Sequence, residues 1–176
     1  MKKVAVFGKP GGGKSTLAKT LSEVTGLPLF QLDSIEYSEG GIRVDEEIYI
    51  QRHRDILDQD NWLIDGLGSI ESFRERIAAA DTLIFIDLPL LLHFWWVTKR
   101  LIKSPFIYPE GWPKGSPIFR STFASWRNLY YSHKLWTPEF RQKIANFRSS
   151  KKVYILESPK DIRLFIKELS IDNSSN

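Results

Sequence analysis

The sequence predicts an α/β protein in which a five-stranded parallel sheet is covered by helices on both faces. Five short apolar runs of strand length alternate with helical segments along the 176 residues. Strands that alternate with helices form parallel sheets, because each crossover returns the chain to the same edge of the sheet. The length and a hydrophobic fraction of 42% suit one domain with a single core. We therefore expect three layers, with the sheet between two layers of helices.

The first βαβ unit is predicted at the start of the chain. The apolar run VAVFG (4–8) has the length of a buried strand, and a helix follows from about Lys14 to Val24. PLFQLD (28–33) predicts the second strand, and a polar, glycine-containing loop is expected over 34–44.

The next two strands flank an alanine-rich helix. A helix opens at Asp45, whose side chain can cap its first turn, and WLIDG (62–66) follows as a short buried strand. The alanine-rich helix covers about 71–80. TLIFIDLP (82–89) is an uninterrupted apolar run that ends at Pro89 and predicts the fourth strand.

The remainder combines helices, a long loop and the fifth strand. The predicted elements are helices at 90–103, 118–149 and 159–170, a loop at 104–117 and the strand KVYILES at 152–158. The loop assignment rests on four prolines and two glycines within that stretch. We expect one domain over 1–169, followed by a polar tail over 170–176.

Composition excludes several kinds of site. The chain has no cysteine, which excludes disulfides, thiolate metal sites and cysteine nucleophiles and suits a reducing compartment. The apolar run LPLLLHFWWV (88–97) is about half of the roughly 20 residues that a membrane helix needs. We therefore expect a cytoplasmic protein with no membrane segment.

The net charge of +4 is unevenly distributed. Residues 1–89 carry ten Lys or Arg against 15 Asp or Glu, whereas 90–150 carry ten against only Glu110 and Glu139. The second segment also holds 14 of the 23 aromatic side chains. A basic, aromatic segment of this kind predicts contact with an anion, and the alternative is a solvated basic face over an aromatic core.

The stretch GKPGGGKST (8–16) lies between the first strand and the first helix. Its Gly8 and Gly13-Lys14-Ser15 match the pattern GxxxxGK[ST] in the strand, loop and helix context that this pattern requires. The glycines let N–H groups turn inward around an anion, and the helix N-terminus adds positive charge. Lys14 is expected to neutralise the β and γ phosphates of a nucleoside triphosphate, and the Ser15 hydroxyl to bind Mg²⁺. The predicted nucleotide-binding residues of this loop are Gly8, Pro10, Gly11, Gly12, Gly13, Lys14, Ser15 and Thr16.

With this motif the chain resembles P-loop kinases of adenylate kinase-like fold, and most closely the adenylate kinase-like, DNA topology modulation protein FlaR-related family. The resemblance covers roughly 1–169 and rests on GKPGGGKST, LPLFQLD, NWLIDG, AADTLIFIDLP and KVYILESPKDI in that order. It implies a sheet of order 2-3-1-4-5, ATP or GTP with Mg²⁺ as cofactors, and a helical lid inserted at about 100–149.

Two aspartates compete for a place beside the Mg²⁺ ion. By the resemblance, Asp65-Gly66 ends the strand next to the P-loop, and the carboxylate holds a metal-bound water. Asp87 also ends an apolar strand and is the rival, unless it caps the turn at Pro89. We favour Asp65, because the strand beside the P-loop can bring a carboxylate close to the metal.

A third aspartate, Asp33, ends the second predicted strand at the carboxyl edge of the sheet, where open α/β sheets bind ligands. LDSIEY faintly resembles the DxxxIE region of shikimate kinase-like proteins, which implies that Asp33 orients or deprotonates an acceptor hydroxyl. The alternative is that Asp33 caps a turn or a helix.

The lid of the resembled family brings arginines over the transferring phosphoryl group. VTKRLIKS is similar to the stretch that carries the first of them, at Arg100, but Ser104 stands where the second is expected. The further lid candidates, each of which could equally be a surface residue, are Arg120, Arg127 and Arg141. ESPKD stands where relatives wrap the adenine, which implies base contacts from Ser158 and Pro159.

The chain also departs from the resembled family. In nucleoside monophosphate kinases Asp-Gly continues as Asp-Gly-Phe-Pro-Arg, and that arginine grips the acceptor phosphate. Here Asp65-Gly66 is followed by Leu67-Gly68-Ser69, with no positive charge until Arg74. A neutral hydroxyl acceptor is therefore favoured over a nucleoside monophosphate.

Two functions fit these observations. The first is a Mg²⁺-dependent phosphotransferase that passes the γ-phosphoryl of ATP or GTP to a small hydroxyl-bearing or nucleotide acceptor. Its predicted catalytic residues are Lys14, Asp33, Arg100, Arg127 and Arg141. The second is a nucleotide-dependent nucleic-acid-binding protein whose segment 90–150 grips a phosphate backbone and stacks on bases. We favour the first, because a kinase lid alone explains the charge.

Overall fold

A computed structural model describes residues 1–38, 42–103 and 118–174. Its centre is a sheet of five parallel strands in the order β2-β3-β1-β4-β5, which confirms the predicted fold class and strand order. The strands are β1 (Lys3–Gly8), β2 (Leu29–Gln31), β3 (Trp62–Asp65), β4 (Thr82–Ile86) and β5 (Lys152–Leu156).

Helices cover both faces of this sheet. They are α1 (Lys14–Thr25), α2 (Leu32–Glu36), α3 (Glu46–Leu57), α4 (Ile70–Ala79), α5 (Leu90–Lys103), α6 (Ile118–Tyr130), α7 (Pro138–Asn146) and α8 (Pro159–Ser174). One core lies between the sheet and α1 with α8, and a second core lies between the sheet and α3, α4 and α7. Strand β1 contributes to both, because alternate side chains point to opposite faces: Val4 and Val6 enter the first core, Ala5 and Phe7 the second.

The strand register determines which residues meet at the carboxyl edge of the sheet. Val6 of β1 pairs with Asp65 of β3, and on the other side Gly8 pairs with Ile86 of β4. Asp65 therefore flanks β1 on one side, and Asp87, which follows Ile86, flanks it on the other. The loop that leaves β1 at Gly8 begins between these two carboxylates.

The second strand is shorter than the sequence predicts. It ends at Gln31, which pairs with Asp65, the last residue of β3. Because β2 pairs only with β3, no backbone partner is left for Leu32, and the chain turns into α2. Asp33 therefore lies in the first turn of a short helix and does not end a strand. The predicted loop over 34–44 is helical up to Glu36.

The predicted helical stretch 118–149 is also interrupted. It divides into α6, a 3₁₀ turn at Tyr131–Lys134, α7 and a 3₁₀ turn at Phe147–Ser149. Thr137 caps α7 through its side chain, and Pro138 occupies the first helical position, where its missing N–H costs nothing. At the end of the chain α8 continues to Ser174, so the predicted polar tail is mostly helical.

The predicted loop 104–117 lies outside the described residues, as do the side chains of Arg100 and Arg120. Among the helices that the structure describes, none combines the length and the apolar character needed to cross a bilayer.

Candidate functional site

The glycine-rich loop between β1 and α1 is held in a conformation that requires its glycines. Gly11 and Gly13 have φ of 72° and 78°, in the left-handed region. A side chain at Gly11 would overlap Val97 of α5, and a Cβ at Gly12 would lie 2.8 Å from His93 Cε1. Helix α5 therefore packs directly on the loop backbone and leaves no room for side chains there.

The N-terminus of α1 is open to an anion. The helix begins at Lys14, and its N-cap, Gly13, has no side chain with which to cap the first N–H groups. The first turn also contains no acidic residue. Lys14 Nζ lies across the loop and donates a hydrogen bond of 2.9 Å to the carbonyl oxygen of Lys9. N–H groups, helix dipole and ammonium group are thus gathered at one place, as phosphate binding requires.

Asp65 adjoins this loop from the end of β3. Its carboxyl is buried, hydrogen-bonded to the Ser15 side chain, and within electrostatic reach of Lys14. Burial raises the pKa of Asp65, against the lowering effects of the Lys14 charge, the Ser15 hydrogen bond and the Arg76 charge. The buried Oδ1 atom has no hydrogen-bond partner. A hydroxyl and a carboxylate oxygen side by side are the hard ligands that Mg²⁺ prefers, so these residues fit that ion.

Asp87 lies on the other side of β1 in an ion-pair chain of four residues. Its Oδ1 is 2.7 Å from Lys9 Nζ, and its Oδ2 is 3.8 Å from Arg141 Nη1. Arg141 Nη2 continues the chain, 2.7 Å from Glu157 Oε1 at the end of β5. Both oxygens of Asp87 thus face cations of the protein, whereas Asp65 has a free oxygen beside Ser15.

A histidine that the sequence analysis missed holds the loop in place. His93 of α5 is fully buried, and its Nδ1 is 2.8 Å from the carbonyl oxygen of Pro10. Burial, together with the charges of Lys9 and Lys14, lowers the pKa of His93 to about 4. The imidazole is therefore neutral at pH 7 and donates Nδ1–H to the loop. A lone histidine within an apolar run gave no signal of this contact.

The acceptor candidate Asp33 lies at the same edge of the sheet, beyond β2. It is exposed, and its backbone carbonyl accepts from Tyr37 N at 3.1 Å, which closes the turn of α2. Burial first, and then the charges of Glu36 and Asp33, raise the pKa of the Tyr37 hydroxyl. Asp33 and Ser34 of α2 are exposed, whereas Glu36 is mostly buried. The Oε1 atom of Glu36 pairs with Arg43 Nε at 3.0 Å.

The arginine candidates have different placements. Arg141 lies near the P-loop, where it pairs with Asp87 and Glu157. Arg127 is exposed on α6, on the same helical stripe as the exposed Phe123 and Tyr130. Arg100 belongs to α5 by its backbone, and its side chain lies outside the described residues, as does that of Arg120.

The predicted base-contacting residues have a structural role. Ser158 Oγ accepts from Asp161 N at 3.2 Å, and Asp161 Oδ2 accepts from the backbone N–H groups of Glu157 and Ser158 at 3.1 and 2.9 Å. Reciprocal contacts of this kind start a helix, here α8 at Pro159. Contact of Ser158 and Pro159 with a nucleotide base stays a prediction.

A second residue that the sequence analysis missed is Arg76 of α4. It is fully buried, and its Nη2 donates to the carbonyl oxygens of Gly66 at 3.0 Å and Leu67 at 2.8 Å. The analysis noted Arg74 as the first positive charge after Asp65, but Arg74 is exposed. It is Arg76 that reaches the corner directly after β3.

The fold is shared with kinases of known structure. The chain aligns over its whole length with shikimate kinase from Acinetobacter baumannii in complex with shikimate, at a TM-score of 0.56 and 18% identity, covering 95% of that protein. A gluconokinase from Sinorhizobium meliloti 1021 matches 99% of the chain over 92% of its own length, at a TM-score of 0.51 and 12% identity. Shikimate kinase from Aquifex aeolicus matches 98% of the chain over 96% of its own length, at 0.50 and 18%. No protein-family model and no curated protein matches the chain.

These likenesses confirm the P-loop kinase fold. At such identities they extend to the arrangement of strands and helices alone. The finer resemblance, to the FlaR-related family, stays a prediction.

The position of Lys14 leads to a first prediction. Lys14→Ala should weaken ATP binding about 100-fold, because two charge-assisted hydrogen bonds to phosphate are worth about 3 kcal/mol. Calorimetric titration of the folded variant with Mg·ATP measures this. Lys19→Ala, an exposed lysine on the same helix, is the matched control. Equal affinity of wild type and Lys14→Ala would remove the loop from the nucleotide site.

The two aspartates lead to a second prediction. Asp65→Asn should reduce the gain in ATP affinity that Mg²⁺ produces by about 10- to 100-fold, the usual effect of losing a carboxylate that holds a metal-bound water. Asp87→Asn should leave that gain near wild type. It should instead lower the free energy of unfolding by about 2 kcal/mol, because Lys9 loses its charged partner. Mg²⁺ titrations of ATP binding and urea unfolding of both variants test this, and the opposite ranking would transfer the metal to Asp87.

Proposed function

We propose that this protein is a Mg²⁺-dependent kinase that transfers the γ-phosphoryl group of ATP or GTP to the hydroxyl of a small acceptor. The observation that carries the proposal is the contact between Ser15 and Asp65 beside Lys14. A hydroxyl at the start of α1, a buried carboxylate and an ammonium group meet where the helix N-terminus can accept phosphates. The hydroxyl would bind the metal, the carboxylate would orient it, and the ammonium group would bind phosphate.

The donor side is formed by the loop and its supports. Backbone N–H groups from Gly11 to Thr16 and the Lys14 ammonium would bind the triphosphate, as the sequence pattern predicts. His93, Val97 and the close approach of α5 keep these N–H groups in place before the nucleotide arrives. Preorganisation of this kind lowers the cost of ordering the loop on binding.

A bound Mg²⁺ would supply a Lewis acid that neutralises charge on the transferring group. Ser15 Oγ would be its direct ligand, and Asp65 would orient the ion through its unpartnered carboxylate oxygen.

We propose that the acceptor binds beside α2. The acceptor oxygen would attack the γ-phosphorus and form a new P–O bond as the bond to the β-phosphate oxygen breaks, leaving the nucleoside diphosphate. The acceptor hydroxyl proton would pass to the Asp33 carboxylate, which lies at the same edge of the sheet. Arg141 and Arg127, with Arg100, would approach the transferred phosphate from the other side.

The substrate class is a small hydroxyl-bearing molecule. The three similar structures reported above are two shikimate kinases and a gluconokinase, which are named for hydroxy acids. No exposed cation is found in the described stretch 66–73 after β3, so an acceptor phosphate would lack an arginine partner there.

We place the activity in the cytoplasm, where ATP and Mg²⁺ are both available.

A third prediction concerns Asp33. Asp33→Asn should lower phosphoryl transfer by about 10²- to 10⁴-fold, the usual contribution of a general base, and leave ATP affinity near wild type. The acceptor is found first, by screening nucleosides, nucleoside monophosphates, sugars and hydroxy acids for acceptor-dependent ADP or GDP formation. Efficient phosphorylation of AMP that Asp33→Asn leaves undiminished would contradict both the base and the acceptor class.

Nucleic-acid binding is the second candidate function. It is favoured by the exposed aromatic side chains of Trp95, Phe123, Tyr130 and Tyr131, next to the exposed Arg127. Aromatic rings and guanidinium groups stack on bases, and cations neutralise a phosphate backbone.

A fourth prediction separates the two functions. If the second is correct, the affinity for a single-stranded oligonucleotide should fall steeply with salt, with a log–log slope of about −0.7 per phosphate contact. Fluorescence anisotropy at several salt concentrations measures the slope, and the double variant Phe123→Ala with Tyr130→Ala should weaken binding. Absence of binding at low salt would leave the kinase function alone.

A further inference from the structure

We infer that Arg76 is a positioning residue: from the buried side it fixes the corner Gly66–Gly68, and through that corner it holds Asp65 against Ser15. This inference rests on the proposed function for its meaning, since Asp65 is the carboxylate assigned to Mg²⁺. The observations that carry it are contacts within the chain itself.

The first observation is that Arg76 is buried with no carboxylate of the described residues within ion-pair distance. Its side chain is fully inaccessible, and no ion pair of Arg76 occurs in the part of the chain that the structure describes. Its Nε and Nη1 atoms are buried and unpartnered as well. A buried cation without a paired charge is costly, so a role that needs its charge or its donors is expected.

The second observation is the use of Nη2. It donates to two consecutive carbonyl oxygens, those of Gly66 and Leu67, at 3.0 and 2.8 Å. One nitrogen thereby fixes the orientation of two successive peptide planes directly after Asp65. On the other side of Gly66, its N–H donates to Val6 O of β1 at 3.1 Å. The residue that follows the carboxylate is therefore held both to the central strand and to α4.

The third observation is that the corner Gly66–Gly68 is closely packed. Gly66 and Gly68 have φ of 126° and 68°, and a Cβ at Gly66 would lie 3.0 Å from Leu32 Cβ. A Cβ at Gly68 would overlap the Tyr49 hydroxyl, which in turn bonds Ser72 Oγ at 2.9 Å. Helices α2, α3 and α4 thus enclose the corner, and Arg76 supplies its polar contacts from within.

The fourth observation concerns the charge of Arg76. Arg76 interacts electrostatically with Asp65, as does Lys14. Burial lowers the pKa of Arg76 to about 10, so the guanidinium stays protonated at pH 7. The Asp65 carboxyl thus interacts with a cation of α4 as well as with Lys14 and Ser15 of α1.

No arginine follows Gly66 directly in the sequence. A cation does reach this corner, but it comes from α4 and contacts the buried face of the backbone. The cation therefore serves the geometry of Asp65.

The experiment compares Arg76→Lys and Arg76→Met with Arg74→Met, an exposed arginine two residues earlier on the same helix. The first readout needs no ligand: hydrogen–deuterium exchange of the peptide that contains 66–69. We expect exchange at this corner to accelerate at least about tenfold in both Arg76 variants, because the carbonyl contacts that order it are lost. Arg74→Met should match wild type. Wild-type exchange in both Arg76 variants would overturn the inference.

The second readout is calorimetric titration with ATP in EDTA and with Mg·ATP. Arg76→Lys should bind metal-free ATP as wild type does and lose about 10- to 100-fold in the Mg²⁺-dependent gain of affinity, the range for residues that hold metal ligands in place. A loss of metal-free ATP affinity of the same size would overturn the inference, because it would make Arg76 a determinant of the whole loop.

The two readouts separate this inference from the proposed function. If wild type binds no Mg·ATP, the proposed function fails, and the exchange experiment still decides whether Arg76 orders the corner. If neither variant folds, as judged by far-ultraviolet circular dichroism, Arg76 supports the entire second core, and the specific positioning role is overturned.

Discussion

The hydrogen bond between Ser15 and Asp65 is the contact on which the candidate site depends. It joins the first turn of α1 to the end of β3, two elements that are 50 residues apart in the sequence. The contact is possible because β3 lies beside β1 in the sheet, so that the end of one strand adjoins the loop that leaves the other. Any other neighbour of β1 on that side would remove the carboxylate from the loop.

Charges on the two sides of β1 are organised differently. On the β3 side, a buried carboxylate keeps one oxygen free beside Lys14 and Ser15. On the β4 side, Asp87 is engaged by Lys9 and Arg141, and the chain of pairs ends at the exposed Glu157. The first arrangement leaves capacity for a ligand, and the second ties the loop, β4, β5 and α7 together. The same residue type thus serves binding on one side and architecture on the other.

Much of the fold and the position of the glycine-rich loop could be predicted from the sequence, because their signals are local. The strands, the glycine-rich loop and the helix after it follow from apolar runs and from a pattern of fixed spacing. The end of β2 could not be predicted, since it depends on where its neighbour β3 ends. His93 and Arg76 were missed for a related reason: each acts on backbone atoms far away in sequence, and neither belongs to a recognisable pattern. The choice of Asp65 over Asp87 as the carboxylate beside Mg²⁺ stays a prediction.

The close packing of α5 on the loop has an optical consequence. The ring of Trp96 lies 3.4 Å from the position that a Cβ of Gly13 would occupy, at the N-cap of α1. An indole so close to the glycine-rich turn would sense a change of electric field if a dense negative charge bound there. Trp62, by contrast, is wholly enclosed in the second core, and Trp95 faces solvent on the outer side of the same helix. If the loop binds phosphate as proposed, the emission of Trp96 should report the binding without any attached dye.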